Sequence, residues 1–369
     1  MLIDHPPRSV QPLPALPAPD AETLDRQGRL AVRTLGLQPR QDLAALARRL
    51  GRTEGELLAA HGSIFDRRDS PLKTRRLCGD WLELLAATAS LGRLRVQVGN
   101  GTAWLAVETE QGQPSPLQPA DLQAAAWHEG YAVEETFASG NVRRSLRFVD
   151  GQGHGVLSLT LLDRARLSDF YELVERFGAL ALRVPFHPHA PCRPRPLTSG
   201  APTPAQVRAW REQWASMRAC EASDALVLAL GEPRRRVLQA LGADLAQPLS
   251  PGALHDTLAR AQAGPEALSA CVDSAGARLR AAWLPRRVQC ERGVVVARGA
   301  SVRLRLHEAA LSEAWCVRLP GRTGLVHAIE CFDRQGRLVL RLQGAPREGR
   351  GESCGWRHLV QGLLAEAAP

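Results

Sequence analysis

One stretch of this chain occurs twice, and that duplication limits the folds open to it. SLRFVDGQGHGVLSL (Ser145 to Leu159) returns as AIECFDRQGRLVLRL (Ala328 to Leu342), 183 residues later. Each copy alternates apolar and polar residues on both sides of a tight turn, Gly151-Gln152-Gly153 in one and Arg334-Gln335-Gly336 in the other. Alternation of that period marks half-buried strands joined as a hairpin. Upstream, GRTEGELLAAHG (Gly51 to Gly62) aligns with GEPRRRVLQALG (Gly231 to Gly242) at a shift of 180. A period this long is no solenoid repeat. It predicts two pseudo-symmetric halves, with a ligand cleft between or beside them.

Each half reads as helices, a hairpin, further strands and a closing helix. Leu43, Leu46, Ala47 and Leu50 fall at helical spacing, Gly51 ends that helix, and Thr53 with Glu56 forms a capping box for the next. Asp80 caps a helix that runs to Gly92. Arg93 to Glu108 alternates about Gly99-Asn100-Gly101, a hairpin signal. A helix over Leu167–Leu180, capped by Ser168, closes the first half. Leu268 to Trp283 takes the place of the first hairpin in the second half. Antiparallel hairpins interleaved with helices give an α+β class, as two tandem pseudo-symmetric repeats, each an antiparallel sheet with packed helices. The boundaries that follow are a Pro-rich tail over 1–20, a first repeat over 21–182 with a first helix from Ala21 to Leu35, a linker with seven prolines over 183–205, and a second repeat over 206–369.

Composition narrows the function classes. No run of about 18 apolar residues exists, so no membrane-spanning helix is expected. The Pro-rich start has no apolar stretch of a secretory signal. Eight cysteines without a CxxC pair fit reduced thiols, and together these features predict a cytoplasmic protein. Net charge is +9, carried by arginine with Lys73 as the single lysine, which suits an anionic partner or a scattered solvated surface. No phosphate-binding loop, dinucleotide fingerprint, HExxH or GxSxG is present, so no catalytic residue is assigned.

AWHEGYAVEE, SLRFVDGQGHGVLSLTL and LSDFYELV resemble the haemin-degrading and haem-trafficking family typified by HemS, ChuS and PhuS. So do RQDLAALARRLGRTEGELLAA, AWCVRLPGRTGLVHAIECFDRQGRLVLRLQG and WRHLV, and the blocks span about Gln38 to Leu364. The resemblance implies haem as the bound group, a role in haem-iron acquisition, and a haem importer or haem oxygenase as partner. It also implies a histidine axial ligand seven residues after a tryptophan early in the second half. Counting from Trp214, that place holds Glu221, preceded by Cys220. The expected iron ligand for haem degradation is therefore absent.

Glu221 and Cys220 are the replacement candidates, a thiolate being a known iron ligand; the plainer reading is a solvated Glu221 and a packed Cys220. His187 and His189, with Cys192 near, offer imidazoles in the linker or a labile metal site, against a polar flexible linker. Arg341 and Arg347 stand where the resemblance implies basic residues around the propionates. Two other readings remain. One is a scaffold that binds another ligand or a protein without haem chemistry. The other, third in order, is nucleic-acid binding through the helix-turn-helix-like segment Leu43 to Ala60 and the positive charge.

Overall fold

The computed structural model describes residues 26, 29–30, 32, 37, 43–61, 64–65, 70–111, 115–180, 185–189, 200–220, 222–250, 252–291, 293–321, 324–347 and 351–367. The expected tail lies outside them. Of the helix expected from Ala21 to Leu35, four residues are described, all helical, with Val32 buried. The linker boundary also falls largely outside, since 181–184 and 190–199 are not described.

The first half opens with α1 (Leu43–Arg49) and α2 (Glu54–Ala59). The Thr53 side chain accepts from the Glu56 N–H while Glu56 reaches back to the Thr53 N–H, the reciprocal cap read from the sequence. Then come β1 (Leu72–Leu77), α3 (Trp81–Ala87), β2 (Leu94–Gly99), β3 (Ala103–Glu108), β4 (Trp127–Thr136), β5 (Val142–Asp150), β6 (Gly155–Leu161) and α4 (Leu167–Phe177). Asp80 caps α3 through the Leu82 and Glu83 N–H groups. Ser168, expected to cap α4, does not. A short 3₁₀ turn precedes the helix and is capped by Asp163, so Ser168 already lies inside α4.

The second half repeats the plan. It has α5 (Pro204–Ser216), α6 (Ala222–Leu230), α7 (Arg234–Leu241), β7 (Ala246–Pro248), α8 (Ala253–Ala263), β8 (Leu268–Ser274) and β9 (Ala277–Trp283). After an extra run of β10 (Arg287–Glu291), β11 (Val294–Arg298) and β12 (Val302–His307), it closes with β13 (Leu311–Gly321), β14 (Gly324–Asp333), β15 (Leu338–Gly344) and α9 (Cys354–Glu366). Strand order shows the symmetry: β1-β4-β5-β6-β2-β3 in the first sheet matches β7-β13-β14-β15-β8-β9 in the second. The duplicated turn is held by the same two backbone contacts in each copy. Asp150 accepts from Gln152 and His154 N–H groups, and Asp333 from those of Gln335 and Arg337.

The two sheets do not stand apart. β12, β11 and β10, from the second half, extend the first sheet beyond β3 to nine strands. β2 and β3 pack face to face on β8 and β9, and one apolar core runs through both, from Val96, Leu105 and Leu157 to Val272, Leu279 and Leu340. Asn100 Nδ2 donates to the Asp273 and Val339 carbonyls, and Ser274 Oγ donates to the Val156 carbonyl. Val156 and Val339 are the equivalent residues of the duplicated hairpin, so these two contacts mirror each other across a pseudo-two-fold axis. The outer faces of the sheets carry smaller cores, under α1 and α2 in the first repeat and under α5 and α7 in the second. The helical hairpin of Leu43 to Ala60 is part of the first of these. Five of the six residues of α2 are buried, which leaves it no free face to enter a DNA groove.

Candidate functional site

On the outer face of the second sheet, α5 and α7 cover β13 and β14 but leave β15, β8 and β9 partly open. Alternation decides what faces outward. In β8, Leu268, Ala270 and Val272 enter the shared core, so Ser269 and Cys271 point away from it. By the same rule Arg280 and Ala282 of β9 and Arg341 and Gln343 of β15 share that outer face. The turn before α6 brings Cys220 over them. Together with Pro346 these residues line a pocket of about 290 Å³, near the lower end of ligand pockets, roughly 300–1,000 Å³.

The floor of the pocket is a closed ion network. Glu330 of β14, buried completely, accepts from Arg234 Nε at 2.6 Å and from Arg341 Nε at 2.9 Å. Arg341 also donates to Asp224 of α6 at 2.6 Å, and Arg278 bridges Asp224 and Asp273 at 2.9 and 2.6 Å. Three guanidiniums meet three carboxylates, so the buried charges cancel. Burial pushes the Glu330 carboxyl up, but the Arg234 and Arg341 guanidiniums outweigh it and hold the group below the ordinary carboxylate value. Asp224 is likewise held down, chiefly by Arg341, against its own burial. The first repeat carries the same contact with its polarity reversed: Arg147 of β5 donates to Glu54 of α2 at 2.7 Å, where β14 supplies the acid and α7 the base in the second.

Three donors face the pocket. Cys220 offers a half-buried sulfur. Among the described residues the buried Gln343 Nε2 has no hydrogen-bond partner, and a buried donor left this way costs about 1–3 kcal/mol. Arg280 is 40% exposed and meets Asp121 at 3.3 Å. Cys271 is different: burial, then the neighbouring Asp273, pushes its thiol up to about 12, so it stays protonated.

The sequence candidates separate in space. Cys220 and Arg341 meet in the pocket. Arg341 is not available to an incoming carboxylate, because Glu330 and Asp224 hold it. Arg347 is exposed beyond Pro346 and outside the lining. Glu221 and Cys192 lie outside the described residues. His187 and His189 lie against the first repeat and do not line the pocket: the His189 N–H donates to the Gly151 carbonyl at 2.6 Å and its ring lies 4.4 Å from that of His128, while His187 is exposed. Sequence reading overlooked Gln343, Arg280, Ser269 and Cys271. Strand alternation in the Leu268 to Trp283 hairpin places three of them on one face, but only the long-range pairing of β15 with β8 adds Gln343. A second pocket, about 360 Å³, is lined by Leu249, Leu311, Trp315, Glu308 and Glu313 among others. Its two carboxylates disfavour an anionic ligand, and none of its described lining residues is a thiol or an imidazole.

Residues 231–363 match the family model of the haemin-degrading HemS.ChuX domain. The fold as a whole is that of two solved proteins. ChuS of Escherichia coli O157:H7, described as a heme degrading enzyme, matches at 22% identity and a TM-score of 0.77, over 93% of this chain and 99% of that one. Holo-PhuS, described as a heme-binding protein from Pseudomonas aeruginosa, matches at 24% identity and a TM-score of 0.79 with the same coverage. Comparison with curated protein sequences gave no match. Among the described residues no helix is long and apolar enough to cross a membrane.

Proposed function

We propose, from the premise that residues 231–363 form a haemin-degrading HemS.ChuX domain in a two-repeat chain of the HemS/ChuS/PhuS kind, that this protein binds haem as cargo in the pocket beneath Cys220. It would act in the cytoplasm, in haem-iron handling, and exchange haem with an importer or an oxygenase.

The observation that carries the reading is the make-up of that pocket. Every lining residue but Cys220 falls within the matched domain. The lining joins a sulfur donor, an amide N–H without a partner among the described residues and a partly exposed arginine to the apolar surfaces of Ala281, Ala282 and Pro346. A thiolate suits ferric iron as an axial ligand, so Cys220 would hold the metal. Gln343 and Arg280 would meet the polar edge of the macrocycle, with Arg280 directed to a propionate. Bound haem would supply a redox-active iron centre. The neutral network below would keep the floor rigid without adding attraction of its own. None of the described residues lining the pocket is an imidazole, which favours carriage over breakdown.

Haemin titration followed by the Soret band tests the reading. A saturable shifted band at one equivalent is expected in the wild type. Cys220→Ala should move the band maximum and weaken binding about tenfold or more, and Gln343→Ala should weaken it less. Haemin should also protect Cys220 from alkylation while leaving the exposed Cys78 and Cys354 reactive. A titration indistinguishable from adsorption to serum albumin would overturn the reading, and an unchanged band in Cys220→Ala would remove the ligand assignment.

A further inference from the structure

The two halves share a backbone irregularity and use it differently. β4 and β13 each open with a bulge of one residue: His128, between Trp127 and Glu129, and Ser312, between Leu311 and Glu313. A bulged residue drops out of the ladder, and its side chain is re-aimed. In the second half the bulge closes on itself, since Ser312 Oγ donates to the Phe332 and Asp333 carbonyls at 3.2 and 2.6 Å. His128 turns outward instead. Its ring centre lies 5.7 Å from that of Phe186 and 4.4 Å from that of His189.

The segment 185–189 that brings His189 there is anchored at both ends. Phe186 belongs to the small core under α1 and α2. It fills the gap between Gly55 and Gly153, where an added Cβ would stand 3.0 and 2.9 Å from its ring. The His189 N–H donates to the Gly151 carbonyl at 2.6 Å, and its Nδ1 would meet a Cβ on Gly151 at 2.7 Å. The ring is thus seated on the duplicated turn through its Nδ1 edge, with Nε2 on the side away from it. Both histidines are exposed. Among the described residues no hydrogen bond or ion pair occupies either ring.

The spacing selects a geometry. An imidazole nitrogen meets a divalent transition metal at about 2.1 Å, so its ring centre stands about 3.2 Å from the ion. Two imidazoles at a right angle about one ion therefore have centres about 4.5 Å apart, two at the tetrahedral angle about 5.2 Å, and two on opposite sides about 6.4 Å. The observed 4.4 Å matches the right-angled pair. It is too short for the two rings to take the opposite axial positions of one haem iron. We propose that His128 and His189 form a chelating site for a divalent transition metal of tetragonal preference, Cu²⁺ or Ni²⁺. Among the described residues no third His, Cys, Asp or Glu joins them, so water would complete the coordination. A metal there would fasten 185–189, the segment that leads toward α5, to the start of β4.

Ni²⁺ serves as the probe, because Cu²⁺ would also oxidise the exposed cysteines. Calorimetric titration of the full chain should show a saturable nickel site that excess Ca²⁺, which prefers oxygen ligands, does not displace. His128→Ala and His189→Ala should each weaken nickel binding about tenfold or more, since either change undoes the chelate. Nickel should raise the thermal midpoint of the wild type but of neither variant. Both variants should keep the wild-type haemin titration, because neither histidine lines the pocket beneath Cys220. His358→Ala, at an exposed position on α9, should leave nickel binding unchanged. Wild-type nickel affinity in either site variant would overturn the proposal. So would displacement by Ca²⁺, an equal loss in His358→Ala, or a haemin titration lost with His128 or His189.

Discussion

Removing the Glu330 carboxylate would leave Arg234 and Arg341 facing each other at a buried position. Glu330→Gln should therefore cost about 3–5 kcal/mol of stability, the usual range for breaking a buried pair on one side, read from urea unfolding. The same residues give a pH signature. Glu330 and Asp224 are both held below their ordinary values in the folded state. Between the folded and unfolded values the unfolded chain binds more protons, so their contribution is complete above roughly pH 4.5 and is lost as pH falls through the folded values. The thermal midpoint should fall on acidification in that window, and Glu330→Gln should flatten the fall. A steep profile retained in the variant would assign the acid sensitivity to other groups. At this scale the sequence shows Arg341 as an arginine at the right place along a strand. It does not show that Glu330 and Asp224, 11 and 117 residues away, hold it.

At the scale of elements, the duplicated turn offers a paired test. Gly153 and Gly336 occupy equivalent places at φ of +79° and +74°, where a side chain is strained. Their surroundings differ. A Cβ on Gly336 would have only Arg235 within reach, at 3.7 Å, whereas one on Gly153 would stand 2.4 Å from Thr53 Oγ1, the cap of α2. Gly336→Ala should cost about 1–2 kcal/mol, the left-handed backbone penalty alone. Gly153→Ala should cost at least 1 kcal/mol more, because the cap of α2 must also give way. Chemical denaturation of both variants checks the difference; equal losses would mean that the cap adjusts freely. Turns, caps and the alternation of these strands were legible because each rests on residues close together in sequence. Ser168 was misread for a local reason too: Asp163 starts a 3₁₀ turn ahead of the helix and takes the cap.

At the scale of the whole molecule, the halves are joined by a common core and by a sheet that borrows three strands. Asn100 reaches two carbonyls of the other repeat through one amide. Asn100→Ala should cost about 1–3 kcal/mol by leaving those acceptors unmet. Its unfolding should remain a single transition, because the core runs through both sheets. Two separable transitions in differential scanning calorimetry would refute that shared core.

By itself the sequence determined the duplicated α+β plan, the capped helices and the hairpins. Those follow from periodicity, turn glycines and capping side chains acting over a few residues. It also placed Cys220 and Arg341 among the candidates. Only the tertiary structure decided that the two share a pocket with Gln343 and Arg280, and that His187 and His189 belong to another surface. It alone revealed that β10, β11 and β12 cross to the first sheet. Those arrangements depend on which strands pair at long range, and a strand's own residues specify its alternating faces without naming its neighbour.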